Sequence, residues 1–344
     1  VPEEKLLSFT DSSDDRYADY ESRFDPARSD RKARRKRNPA AARKQRGYSD
    51  TVDQIAPSDK LELGVATTYQ PGRFETGWLF EALQDFFAQS LITDVLSSVK
   101  GGKEASVYLC RAHPATGHAL LAAKVYRPRM FRNLRNDALY REGRETLTGD
   151  GRPVKATDQR IMRALNKKTS FGQAVAHNSW LLHEFTALRA LHGAGVNVPQ
   201  PVAVSANAVL MGFVGDEDYA APPLESVQLE PEEAEVLFNQ VIRDVETMLA
   251  HGIVHGDLSA YNLLYWEGRA VLIDFPQVIR TGGNSSASLI LRRDLQRVCE
   301  YFADQGVVRD AAALHAALWK RWAEPRADWI AADLSRWDTE EDEE

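Results

Sequence analysis

The sequence predicts an α+β fold arranged as two lobes, and three observations predict it. Apolar runs of strand length dominate residues 107–214, whereas helical periodicity dominates residues 231–323. A long helix pattern at 231–251 then feeds a polar loop followed by two short apolar runs joined by a turn. The ends read differently, with blocks of like charge and little apolar surface, a composition that does not pack. The expected organisation is a largely disordered arm over 1–75 and a β-rich lobe over 76–214, interrupted by a mobile insertion at 131–172. A helical lobe over 215–334 and an acidic tail over 335–344 complete it.

The elements follow in order. Trp78, Leu79, Leu83, Phe86 and Phe87 fall at helical spacing, with Thr76 as the expected N-cap. Val107–Cys110, Leu120–Tyr126 and Val209–Val214 read as strands, and a helix at 179–192 separates the second from the third. The insertion is rich in Arg, Asn, Gly and Thr, with some helix expected in it. In the 231–251 helix, Pro231 suits the first turn, and Glu232 and Glu233 sit beside the positive end of the dipole. Ala234, Leu237, Phe238, Val241, Ile242, Val245, Met248 and Leu249 make its apolar stripe, and Gly252 ends it. Asn262–Trp266 and Ala270–Phe275 read as strands around Glu267-Gly268, before helices near 288–305 and 311–323.

The 344 residues hold 43 Lys and Arg against 50 Asp and Glu, a formal net charge of −7. That mean hides segregation. Six acids lie between Asp11 and Asp25, ten basic residues between Arg28 and Arg46, and six acids among the last seven residues. The basic run at 28–46 suits a ribosomal RNA or pre-ribosome contact, or a solvated tail pairing with the acidic end. No aromatic residues interleave it, so base stacking is not expected. No apolar run approaches the ~20 residues of a membrane span, and no apolar signal segment follows Val1-Pro2-Glu3-Glu4-Lys5. Two cysteines, Cys110 and Cys299, cannot make a disulfide framework, and no zinc-type Cys/His spacing occurs. These features predict a cytoplasmic protein without a membrane partner.

The chemistry concentrates in His255-Gly-Asp-Leu-Ser-Ala-Tyr-Asn262 and Leu272-Ile-Asp-Phe275. Phosphoryl transfer needs a carboxylate to orient or deprotonate the attacking hydroxyl. It also needs oxygen ligands that hold Mg²⁺ against nucleotide phosphates. Asp257 fits the first role, Asn262 and Asp274 the second. Upstream, Lys124 lies inside the apolar run Leu120–Tyr126, where a lone ammonium would be costly. A phosphate and a helix carboxylate would satisfy it, and Glu184 is the candidate. Lys100-Gly-Gly-Lys-Glu-Ala-Ser-Val-Tyr108 precedes it as a hairpin-like turn in which Gly101 and Gly102 let the backbone approach phosphates.

Together, Gly102–Tyr108, Ala123–Tyr126, His255–Asn262 and Ile273-Asp-Phe-Pro-Gln277 resemble the RIO kinases, atypical members of the protein-kinase superfamily. Gly215–Leu224 and Val227–Leu229 resemble the Rio1-like branch, and the likeness covers roughly 76–323. The resemblance implies a bilobal protein-kinase-like fold and an ATP- and Mg²⁺- (or Mn²⁺-) dependent serine/threonine protein kinase. It implies a phosphate loop of Gly102, Lys103, Glu104, Ser106 and Val107, with Lys124 on the α- and β-phosphates, paired with Glu184. It places a hinge at Met211–Val214, where Met211, Phe213 and Val214 meet adenine through backbone groups. It makes Asp257 catalytic, and Asn262 and Asp274 metal ligands. His255 is expected to be a structural loop residue, and Arg292, Arg293 and Asp294 to support the catalytic loop. Asp274 is followed by Phe-Pro-Gln where ordinary kinases have Phe-Gly, and no Ala-Pro-Glu element follows. The family shares this departure, which shifts the expectation toward ATPase-like switching and autophosphorylation, with the protein itself among its substrates. Thr146, Thr148, Thr157, Thr169 and Ser170 are the expected acceptors. The alternatives are a small-molecule kinase of aminoglycoside or choline type, which shares the His-Gly-Asp loop, and a nucleotide-switched ribosome-assembly factor with little phosphotransfer.

Overall fold

Alternation along one strand sets the layering of the first unit. In β3 (Leu120–Tyr126), Leu121, Ala123 and Val125 point to one face, and Ala122, Lys124 and Tyr126 to the other. The first face packs on helix α1 (Arg73–Ala88), whose Leu79, Ala82, Leu83 and Phe86 join them in a single buried cluster. The second face meets Glu184, on helix α3 (Ser170–Gly193).

The computed structural model describes residues 67–102, 105–126, 146–148, 151–155, 157–167, 169–282 and 284–322. The basic run at 28–46, Lys103, Glu104, the first part of the insertion and the acidic tail lie outside them. The chain divides into two compact units, the described residues of the first lying within 67–137, 145–192 and 198–222, and those of the second within 193–197 and 223–322.

In the first unit, five antiparallel strands run in the order β1-β2-β3-β5-β4. The others are β1 (Ile92–Gly101), β2 (Ala105–Ala112), β4 (Pro201–Val204) and β5 (Ala208–Gly212). Lys124 sits opposite Val107 on β2 and Val209 on β5, so it belongs to the middle strand of the sheet. Helix α2 (Gln159–Asn166) precedes α3 within the sequence-expected insertion, and α3 begins nine residues before the expected 179. Helix α1 starts earlier than the spacing suggests. Gly72 is the N-cap, Glu75 reaches back to its N–H at 3.3 Å, and Thr76 lies inside the first turn with its hydroxyl on Gly72 O.

In the second unit, α4 (Pro231–Ala250) and α5 (Ala287–Asp304) are the principal helices, followed by α6 (Ala311–Trp322). Phe238 of α4 meets Phe302 of α5 edge to face at 5.4 Å, a favoured aromatic geometry. Two short antiparallel pairs carry the loops. β6 (Ile253–Val254) pairs with β9 (Ile279–Arg280), and β7 (Leu263–Trp266) with β8 (Arg269–Leu272). The β7–β8 turn has positive φ at both Glu267 and Gly268, as a two-residue hairpin of matching twist requires. Among the described residues, no helix is long and apolar enough to cross a membrane.

Candidate active site

The first unit assembles a buried ion pair from the second face of β3. Lys124 Nζ lies 2.6 Å from Glu184 Oε1, with side-chain exposures of 13% and 3%. Tyr126, two residues on and therefore on the same face, donates its hydroxyl to Glu184 Oε2. The Tyr126 ring is braced edge-on by Trp180 at 4.7 Å, and Lys124 Nζ stands 5.2 Å from its centre. Glu184 is thus held at both oxygens. Removing one partner of such a buried pair costs about 3–5 kcal/mol, because the other charge is left without compensation.

Gly102 closes the β1–β2 turn through its N–H on Ala105 O at 2.9 Å, and a Cβ there would stand 2.8 Å from that oxygen. Ser106 is buried and Val107 half-buried on the following strand. At the expected hinge, Met211 and Gly212 end β5, with Phe213 and Val214 following. Gly212 N–H donates to Gln200 O and Val214 C=O accepts from Ala221 N–H, while Met211 pairs in register with Ala122 of β3 and Pro201 of β4.

The second unit builds a clamped loop. Gly256 has φ 87, and a Cβ would fall 2.1 Å from Gln277 O. Only glycine combines that conformation with that approach. Its N–H donates to Asp294 Oδ2 at 2.8 Å and its C=O accepts from Arg293, which also bonds Asp294 Oδ1 at 3.1 Å. Burial pushes the Asp294 carboxyl up from its ordinary value, while Arg293, His255 and Arg297 pull it down. Asp257 follows Gly256. Its Oδ1 lies 2.6 Å from Arg297 Nη1, and its Oδ2 accepts from Asn262 Nδ2 at 3.2 Å.

Asn262 Nδ2 also donates to Asp257 O at 2.9 Å. The amide nitrogen therefore faces Asp257, which leaves Oδ1 as the donor atom for a hard cation. Asp274 comes two residues after β8, which ends at Leu272 and not at the expected Phe275, so it lies outside the strand, with φ 71. A non-glycine residue seldom holds that conformation without fixed neighbours. Ile273 supplies them: its N–H donates to Asn262 O at 3.0 Å, and its C=O lies 3.1 Å from His255 Nε2. His255 Nδ1 in turn accepts from Asp257 N–H at 3.3 Å. The histidine is thus a strut tying the Asp257 loop to the Asp274 segment.

The structure therefore brings Lys124 together with Glu184, and Asp257 with Asn262, and links Asn262 to Asp274 through Ile273. Arg293 and Asp294 support the loop, whereas Arg292 is exposed on α5. Sequence reasoning missed Tyr126 and Arg297. The signal for Arg297 was available, because it lies, with Asp294, among the apolar Ile290, Leu291, Leu295, Val298 and Phe302 of the α5 stripe. A cavity of about 360 Å³ in the first unit, lined in part by Ser90, His118 and Gln200, contains none of these residues.

The sequence pattern of the RIO domain matches residues 139–314. The chain is 30% identical over 230 residues to the serine/threonine-protein kinase RIO1 of Chaetomium thermophilum, covering 64% of this chain and 41% of that protein. It is 33% identical over 220 residues to the RIO-type serine/threonine-protein kinase Rio1 of Haloferax volcanii, covering 63% and 66%. It is 27% identical over 220 residues to human serine/threonine-protein kinase RIO1, covering 64% and 35%. The match thus spans less than two thirds of each of these relatives' own length.

Proposed function

This chain belongs to the RIO domain family, and from that membership we propose that it is an ATP- and divalent-metal-dependent serine/threonine protein kinase that phosphorylates itself and hydrolyses ATP. The observation that carries the reading is the Asp257–Asn262–Ile273–Asp274 linkage, which ties the Asp257 carboxylate and Asn262 to the backbone that leads into Asp274. The relatives' names favour a protein acceptor over a small molecule.

Lys124, aligned by Glu184, holds the α- and β-phosphates, and the Gly102–Val107 turn, with Lys103 and Glu104, covers them. Met211, Phe213 and Val214 meet adenine through backbone groups. Asn262 Oδ1 and the Asp274 carboxylate hold Mg²⁺ (or Mn²⁺), a set suited to an ion that takes one or two protein ligands together with phosphates. Such an ion neutralises charge on the phosphate oxygens when bound. Asp257 orients the acceptor hydroxyl, and positioning with electrostatics does most of the work. The acceptors proposed within the chain are Thr146, Thr148, Thr157, Thr169 and Ser170. The basic run at 28–46 is proposed to contact ribosomal RNA in small-subunit maturation, in the cytoplasm.

Transfer from [γ-³²P]ATP tests the reading. Wild type is expected to label itself and release phosphate, and Asp257→Ala to lose both by at least about 100-fold. Equal turnover in the two proteins would remove Asp257 from the mechanism.

A further inference from the structure

Helix α5 buries two charges in its apolar stripe, Asp294 at 1% exposure and Arg297 at 2%. They are three residues apart and so share a helix face. Each reaches a different residue of one loop. Asp294 takes the N–H of Gly256, and Arg297 places Nη1 2.6 Å from Oδ1 of Asp257. Asn262 Nδ2 holds the other oxygen of that carboxylate at 3.2 Å. A carboxylate fixed at both oxygens, from two different elements, has one plane and one direction left for its remaining lone pairs.

Stability alone is a poor reason for this arrangement. A buried ion pair is often no better than packed apolar side chains of similar volume, while breaking one leaves a buried charge uncompensated. A latch that opened on every turnover would meet that cost each time. A fixed strut does not.

We propose that Arg297 is a positioning residue for phosphoryl transfer, acting through Asp257. It holds the carboxylate plane that orients the acceptor hydroxyl, and it stays in place throughout the cycle. The inference rests on the kinase reading above. It does not require Arg297 to touch nucleotide or acceptor.

The test uses the full chain and measures kcat and KM for ATP in self-phosphorylation and ATP hydrolysis. The proteins compared are wild type, Arg297→Met and Arg297→Lys, with folding followed by thermal denaturation. Arg297→Met keeps bulk and removes the cation. Its kcat is expected to fall about 100-fold, as for a small misplacement of a reacting group, with KM for ATP within about threefold of wild type. Arg297→Lys restores the charge without the planar fork, so its kcat is expected to lie between the two. Wild-type kcat in Arg297→Met overturns the inference. So does a loss in which KM rises in step with lost folding and lysine restores nothing. Should Arg297→Met not fold, Arg297→Lys decides alone, a lowered kcat at unchanged KM supporting the role and an unchanged kcat refuting it. An inert wild type would instead overturn the kinase reading, and this inference with it.

Discussion

Gly256 has no room for a side chain, and that fact carries a prediction. Gly256→Ala sets a Cβ against Gln277 O at a residue held at φ 87. Strain and clash together should lower stability by about 3 kcal/mol in chemical denaturation. Tyr126→Phe is a milder change. It keeps the ring against Trp180 and removes only the hydroxyl that holds Glu184 Oε2. The expected result is a loss of about 1–3 kcal/mol, the usual cost of taking a hydrogen bond from a buried charged group, with weaker ATP binding as Lys124 loses its fixed partner. Unchanged ATP affinity in calorimetry would show that Glu184 needs no second anchor. These two residues also mark what sequence can and cannot convey. Lys124 was legible because an ammonium inside an apolar run demands a partner, and the His255–Asn262 loop was legible from residue type and spacing. Tyr126 was not, because a tyrosine ending a strand is ordinary until the helix behind it places Glu184 within reach.

Among the elements, α5 and α6 meet through a titrating contact. His315 Nε2 lies 3.1 Å from Ser288 Oγ, and its ring stacks on Trp319 at 6.1 Å. Burial, helped by Arg292, lowers the His315 pKa below 6.5. The folded state therefore disfavours the charged ring. Its contribution is present above pH 6.5 and is lost as pH falls through the lower folded value. Thermal unfolding between pH 7 and 5 should show this loss in wild type and less of it in His315→Gln. Helix α4 was readable because its apolar positions keep a clean 3.6-residue period from Ala234 to Leu249. Strand β1 was not. Its pairing with β2 shifts register three times, between Ile92 and Asp94, Val95 and Ser97, and Ser98 and Lys100. Such irregularities break the period-two alternation that would announce a strand. β4 is only four residues long and begins with proline, and it escaped for the same lack of pattern.

For the molecule as a whole, the α+β order was legible from strand-length apolar runs giving way to helical periodicity, and the RIO family from the joint presence of four short segments, none of which is specific alone. The net charge of −7 conceals a ten-cation run with an acidic block toward each end of the chain. It therefore does not argue against a nucleic-acid partner. The central proposal is that Asn262 and Asp274, linked through Ile273, hold a divalent cation against the phosphates of ATP. Calorimetric titration of ATP into wild type and Asp274→Ala, with and without Mg²⁺, tests it most directly. The account predicts that Mg²⁺ tightens ATP binding to wild type and that Asp274→Ala abolishes the difference. ATP affinity that ignores Mg²⁺ in wild type, or responds to it equally in both proteins, would contradict it.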